Sequence, residues 1–562
     1  MSTPAISTRT SWSESDPRSH PGLGPGCHRI LRAAVRASLF VAWLLAVSSP
    51  AGAADPPPDF LWARRAGGGQ ADAGRAIAVA PDGSIVVTGQ FQGTSAFGPT
   101  SLTSAGEEDM FVAKYDPAGN LLWARRAGGS AFDQGLAIAT DGVGNVLIAG
   151  FFQGTASFGS TNLNSSGESD AFLAKYTPDG GLLWVRKAGG NGSDEAYGLA
   201  VDGAGHAYLT GSVTGPGVFG SLSAPAVGAS NNVFVARCSA EGIFQWVRRA
   251  GGDADDQGTA IALDAATNIW IAGRFAGSFT IGTTTFNGAG TSRAFDAFVA
   301  KYDQAGDFLW ARQAGGTGTD SAHAIAMDAT GNAYVAGQIT GTASFSGTAV
   351  TGNGLDVFLA KYSAAGNLQW VRKAGGNNAV YGDGGFGLAL DPAGNPCLVG
   401  YFSGTASFGT TNVTTTGFDD LFISQYDPSG SLLWLRRAGG INLDIGYALA
   451  ADPAGHLYAT GFFSDQATFG STNLPASGPS PARDIFLAKL GTLRPPVLSI
   501  RPRPGAVELT WQDPVGDFVI ESAPAPGGAI WTRVPDPPMV TGDSRSLLRP
   551  RSAQEEYFRL RR

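Results

Sequence analysis

Four short runs of alternating apolar and small or polar residues fill the stretch from Ala76 to Ala127. They are Ala76–Ala80 (AIAVA), Ser84–Phe91 (SIVVTGQF), Met110–Tyr115 (MFVAKY) and Leu121–Ala127 (LLWARRA). Runs of this length with a period of two, rich in β-branched and aromatic residues, predict strands. Pro81-Asp82-Gly83 parts the first from the second, and Asp116-Pro117-Ala118-Gly119-Asn120 parts the third from the fourth. Pro presets φ, and Gly, Asn and Asp tolerate positive φ, so both are tight turns. A longer loop containing Gly93-Thr94-Ser95-Ala96-Phe97-Gly98 joins the second run to the third.

The same pattern recurs along the chain. The phrase LWARRAGG, with small changes, carries Trp62, Trp123, Trp184, Trp246, Trp310, Trp370 and Trp434, spaced by 61, 61, 62, 64, 60 and 64 residues. A period of about 60 residues with four short strands is too long for a common solenoid repeat and thin for a tandem sandwich. It predicts an all-β chain: a seven-bladed β-propeller of four-stranded antiparallel blades. The repeats open on a lone fourth strand, Phe60–Ala66, and close on a third strand, Asp484–Leu490. The leading strand is therefore expected to complete the last blade, closing the ring without an unpaired edge.

D-x-F-x-A-K-Y, the D-x-x-G-N turn and the L-x-W strand, as quoted above, resemble the bacterial seven-bladed β-propeller repeat family of exported proteins over residues 60–490. The resemblance implies an extracellular or surface scaffold and brings no catalytic residues with it.

The flanks read differently. Arg29, Arg32 and Arg36 precede the apolar run Ala37–Val47, and Ala51-Gly52-Ala53 follows. A basic segment, a short apolar segment and a small-residue cleavage site predict a signal peptide over 1–53, cut near Ala53. The apolar run is shorter than the ~20 residues that a membrane span needs. The propeller is then expected over 54–490, a Pro-rich linker over 491–505 and a small β-sandwich over 506–562. The last contains Val507–Trp511, Phe518–Ala523, Trp531–Val534 and Tyr557–Leu560. It resembles fibronectin type III-like modules that end some bacterial secreted proteins.

Composition narrows the function. Many of the 81 glycines fall in AGG crossovers, G-N turns and G-T-x-S-F-G loops. Without residues 1–53 the chain holds 33 basic and 44 acidic residues, a net charge of −11. That balance excludes nucleic acid and anionic membrane as expected partners. The expectation is a monomer that meets a protein or carbohydrate at the cell exterior.

Repeated residues are expected to be structural. Asp109, Asp170, Asp296, Asp356, Asp420 and Asp484 precede the third strand, with Asn232 in the remaining repeat. Arg125, Arg186, Arg312 and Arg372 stand two residues past their tryptophans. A hairpin closed around Ala118 sets Phe111 opposite Arg125 and makes Asp109 a diagonal neighbour of Arg125. The expected pairs are thus Asp109–Arg125, Asp170–Arg186, Asp296–Arg312 and Asp356–Arg372. The tryptophans are expected to fill the space between sheets, and His206 and His456 to be exposed turn residues. There is no H-x-x-x-H, C-x-x-C or D-x-D-x-D-G motif, so no cofactor or catalytic residue is predicted. Weak calcium binding at acidic clusters such as Glu107-Glu108-Asp109 stays open.

Binding is expected where the repeats differ. The second-to-third loops and the crossovers between blades share one face, and they carry the candidate ligand residues Asp194, Tyr197, Asp256, Phe286, Arg293, Tyr381 and Asp383. The leading expectation is an exported, non-enzymatic scaffold that binds through this face. The rivals are a passive surface component and a polysaccharide hydrolase or lyase with acids in a central channel.

Overall fold

The computed structural model describes residues 57–228, 230–290, 294–376, 382–478, 482–492, 498–512, 519–523, 532–541, 544–550 and 557–561. The predicted leader, Arg293 and Tyr381 lie outside the described residues. Among those described, every regular element is a strand and every strand ladder is antiparallel, in a propeller-like arrangement.

Each sequence period folds as a meander. Asp133–Thr140, Val146–Phe152, Asp170–Tyr176 and Leu182–Gly190 pair in chain order. Ala73–Val79, Ile85–Phe97, Thr100–Tyr115 and Leu121–Gly129 do the same. At the end of the series, Asp444–Ala451, Leu457–Ser464 and Arg483–Gly491 lack a following strand. The chain's first strand, Asp59–Gly68, lies beside Arg483–Gly491 and supplies it.

The predicted crossovers and long loops are themselves paired. The fourth strand runs on through AGG, and Ala127, Gly128 and Gly129 pair with Phe158, Ser157 and Ala156 of the next repeat. That partner belongs to a small hairpin, Thr155–Phe158 with Thr161–Asn164, built from the T-x-S-F-G segment. Its phenylalanine anchors it on the third strand. Phe97–Phe111, Phe158–Phe172, Phe345–Phe358 and Phe408–Phe422 have ring centroids 4.8–5.1 Å apart.

The core lies between successive meanders. Val86, Val112 and Trp123 pack with Ile138, Val146 and Phe172 of the next repeat. Val87 and Phe111, on the alternate face of the same strands, pack with Tyr458 and Ile485 of the last. The first strands also touch in a cycle. Ala73–Val79 contacts Asp133–Thr140, the contacts continue strand by strand to Asp444–Ala451, and that strand contacts Ala73–Val79 again.

Two bulges recur and neither follows from alternation alone. One lies in the hairpin of strands three and four: Tyr115 pairs with Leu121, but Lys114 pairs with Trp123. Leu122 is the extra residue, and it is 54% exposed. The other lies in the first strand, where Gly74 pairs with Gly89 and Ala76 with Thr88, leaving Arg75 outside the ladder.

Residues from Ser499 onward form two further antiparallel sheets. Ser499–Arg503, Ala506–Gln512, Ser544–Pro550 and Met539–Thr541 make one, and Val519–Ala523 with Thr532–Arg533 and Tyr557–Arg561 makes the other. Leu509, Trp511 and Leu547 share a buried cluster with Ile520 and Val534. The linker expected over 491–505 therefore contains a strand. Ser499–Arg503 pairs on one side only, and such an edge strand can hold Pro502, which has no N–H to donate.

Candidate functional site

The bulge at Leu122 corrects the expected ion pairs. It moves the register by one, so Phe111 faces Arg126 and Val112 faces Arg125. Asp109 consequently pairs with Arg126 at 2.7 Å, Asp170 with Lys187 at 3.3 Å and Asp356 with Lys373 at 3.0 Å. Gln313 donates to Asp296 at 2.6 Å in the equivalent place. Arg125, Arg186, Arg312 and Arg372 serve another purpose.

Each of these arginines lies on its own tryptophan and reaches the next repeat. Arg125 is 5.6 Å from the centroid of Trp123, and its Nε donates to the Gly180 carbonyl at 3.0 Å. Trp123 donates to the Pro178 carbonyl at 2.9 Å. Arg186 with Gly242 and Arg372 with Gly430 repeat the bond at 2.8 and 2.9 Å, and Arg312 donates to Ala365 at 3.4 Å. A Trp–Arg clamp on one fourth strand thus grips the turn between the third and fourth strands of the next meander. Gly180, at φ +79°, lies flat on the indole; a Cβ there would stand 2.8 Å from Trp123 Cδ2. Such a φ favours glycine in any case.

A second aspartate series marks the start of each first strand. Asp133 accepts from Gly129 N at 2.6 Å and Gln153 N at 3.1 Å. Three ligand candidates prove to be members of this series. Asp194 holds Gly190 N and Thr214 N, Asp256 holds Gly252 N and Ala276 N, and Asp383 holds Gly376 N and Ser403 N. All three are buried, so they close the AGG turn and offer nothing to a ligand. Sequence position placed them in a crossover, but the crossover folds over them. Burial is the main cause that raises their carboxyls, to about 6 in Asp194 and Asp383 and about 8 in Asp256. Phe286 packs its ring on Phe275 at 5.9 Å, in the hairpin Thr284–Asn287.

His206 and His456 also differ from expectation. They are half-buried, each with Nδ1 2.9 Å from the carboxylate of Asp202 or Asp452. On the equivalent turns of other repeats, strand-three lysines approach the turn aspartates: Lys114–Asp82, Lys175–Asp141 and Lys301–Asp264 are each 3.0 Å.

The position that varies without losing its place is the first-strand bulge. It holds Arg75, Leu136, Tyr197, Thr259, His323, Phe386 and Tyr447, each skipped by the ladder. All are half-buried on strands that contact one another in a cycle. A bulge re-aims a side chain, and bulges concentrate beside functional sites. Of the residues expected to meet a ligand only Tyr197 belongs here, with its hydroxyl bonded to Glu195. The signal is readable: three residues after a constant Asp in all seven repeats, a changing residue stands between Gly or Ala on either side.

These residues touch across repeats. The Arg75 guanidinium lies 4.4 Å from the centroid of the Tyr447 ring, which is 5.5 Å from Phe386, itself 5.0 Å from His323. Tyr401 stacks behind Phe386 at 5.7 Å and 20°. Burial, then the Arg274 charge, lowers His323 to about 4, so it is neutral at neutral pH. The arrangement can offer aromatic faces and the Arg75 guanidinium to a ligand. Among the described residues no group of three or more His, Cys, Asp or Glu could hold a metal ion, and no helix is long and apolar enough to cross a membrane.

Comparison with known proteins agrees with the repeat. A family profile described as a β-propeller repeat matches residues 309–345; the chain carries that repeat. An uncharacterized WD repeat-containing protein of Acanthamoeba polyphaga mimivirus is 23% identical over 441 residues, covering 62% of this chain and 31% of that protein. Regulatory protein FlaEY of Caulobacter vibrioides is 32% identical over 137 residues, covering 23% of this chain and 14% of its own length. The chain thus spans a minor part of both relatives. A Dyadobacter fermentans protein of unknown function has a solved structure with TM-score 0.36 at 10% identity, covering 76% of this chain and 99% of its own. Puromycin hydrolase gives 0.35 at 11%, covering 79% and 59%.

Proposed function

We propose that the chain is an exported, non-enzymatic, seven-bladed β-propeller that binds a protein or glycan through the face where the first strands begin. The reading rests on one observation. The bulge residue changes from repeat to repeat and stays half-buried, while its neighbours, which hold the ladder, stay nearly constant. Scaffold positions repeat and recognition positions differ.

The cyclic contact of first strands and the pairing of Asp59–Gly68 with Arg483–Gly491 support a closed ring. A signal peptide over 1–53 accounts for export, and the sheets from Ser499 onward form a small β-sandwich that ends the chain. Against a hydrolase stands the use of the acidic groups: carboxyls with raised pKa are what acid catalysis needs, yet these are buried and bonded to backbone N–H groups. Glycan-array and protein-array binding with the purified protein, with and without calcium, tests the reading. A ligand whose binding is weakened by bulge-residue substitutions supports it. Turnover of a polysaccharide, abolished by replacing one carboxylate, overturns it.

A further inference from the structure

The ring of bulge residues is not uniform. On one side the residues satisfy themselves: Thr259 donates to the carbonyls of Ala322 and Ala272, the Tyr197 hydroxyl is held by Glu195, and Leu136 has no polar group. On the other side Arg75, Tyr447, Phe386 and His323 form an unbroken arc over four neighbouring first strands. Arg75 spends one N–H on Gln90, at 2.9 Å, and its guanidinium carbon stands over the Tyr447 ring. Among the described residues it has no ion-pair partner.

The rings of this arc are tilted, by 53° between Phe386 and Tyr447 and 55° between His323 and Phe386. Rings so tilted leave no parallel slot between them, so the arc does not suit insertion of a flat base or another planar aromatic group. An aromatic ring suits the C–H face of a pyranose. A guanidinium fixed at its end, with the outer N–H groups left over, suits a carboxylate, which it can hold with two parallel bonds.

The charges around Arg75 leave that role open. Asp72, three residues before Arg75, and Asp444, three before Tyr447, are buried and raised to about 7 and about 8, chiefly by burial. Asp419 is buried beside Tyr401, whose own hydroxyl is raised by burial and then by that charge. A second guanidinium, Arg483, lies 4.6 Å from the centroid of Phe462, the ring next to Tyr447. Arg274 is the remaining cation that acts on His323.

We propose that this arc binds an acidic saccharide, with a uronate carboxylate on Arg75 and the sugar ring against Tyr447 and Phe386. The proposal deepens the binding-scaffold reading and rests on it. The test is calorimetric titration of the full chain with tetragalacturonate, tetraglucuronate and tetramannuronate, and with the methyl ester of each. Binding of at least one acid, at least tenfold tighter than its ester, is expected. Arg75→Gln should weaken it at least tenfold, Tyr447→Ala and Phe386→Ala severalfold, and Leu122→Ala, on an exposed fourth-strand position outside the ring, not at all. Unchanged melting temperatures show that the variants fold; Arg75→Lys serves if Arg75→Gln does not. Equal binding of acid and ester, indifference to Arg75 in a folded variant, or no binding of any acid overturns the proposal. If arrays still find a ligand sensitive to other bulge positions, the scaffold reading stands without it.

Discussion

Asp133 lies against Asp109 with Gly128 folded between them; a Cβ on that glycine would stand 2.5 Å from one carboxyl oxygen and 2.8 Å from the other. Burial pushes Asp133 up to about 7 against the pull of two N–H bonds, and the Asp109 charge adds to the push. The juxtaposition recurs between repeats, as Asp170 with Asp194 and Asp420 with Asp444.

Stability should therefore fall as pH rises. An exposed aspartate titrates near ~3.9, while Asp72, Asp133, Asp194, Asp256 and Asp444 titrate at about 6 to 8 in the fold. The folded chain binds more protons between those limits, so stability is fullest at the acid end and drains away up to about pH 8. Asp82, Asp141 and Asp264 oppose this. Their bonds to Ser84 or Asn partners and to lysines outweigh desolvation and lower them, so their contribution is lost as pH falls below ~4. The melting temperature should peak between about pH 4 and 6; a monotonic rise from pH 5 to 8 in a scanning calorimeter contradicts this.

The shifted register makes a sharp claim about coupling. In a double-mutant cycle by chemical denaturation, Asp109→Ala and Arg126→Ala should couple by about 1 kcal/mol. Asp109→Ala and Arg125→Ala should add without coupling.

Gly180→Ala should destabilise by about 2 kcal/mol, since the turn needs positive φ and the methyl group meets the indole of Trp123. In a Trp123→Ala background the steric part disappears and the penalty should shrink, which urea melts of the four proteins would reveal.

Deleting Asp59–Gly68 should leave Arg483–Gly491 with an open edge. The shortened protein should associate or precipitate where the full chain stays monodisperse in light scattering.

The strands, their turns and their recurrence are legible in the sequence because a period of two and Gly/Pro punctuation are local properties. Phe111, Trp123 and Asp109 all stand out there as repeated positions. Their partnerships do not, because one extra residue at Leu122 turns the remainder of that strand to the opposite register, and nothing in L-L-W-A-R-R announces it. Asp194 and Asp383 pass for ligand groups because no local pattern shows that AGG folds back over them. The site is harder to read for a related reason: Arg75 and Phe386 break the alternation of strands seven residues long, too short for one inserted residue to stand out until the repeats are compared.

A residue outside the ladder answers to few neighbours. Exchanging Tyr447 or His323 for another side chain removes no backbone pair, because Gly446 and Ala448, like Ala322 and Ala324, carry the strand on either side. On the proposed binding role, each repeat presents one position at which selection can change what is recognised without reopening the question of whether the chain folds. A lineage of such proteins could diverge widely in ligand while its strands, turns and clamps stayed nearly still.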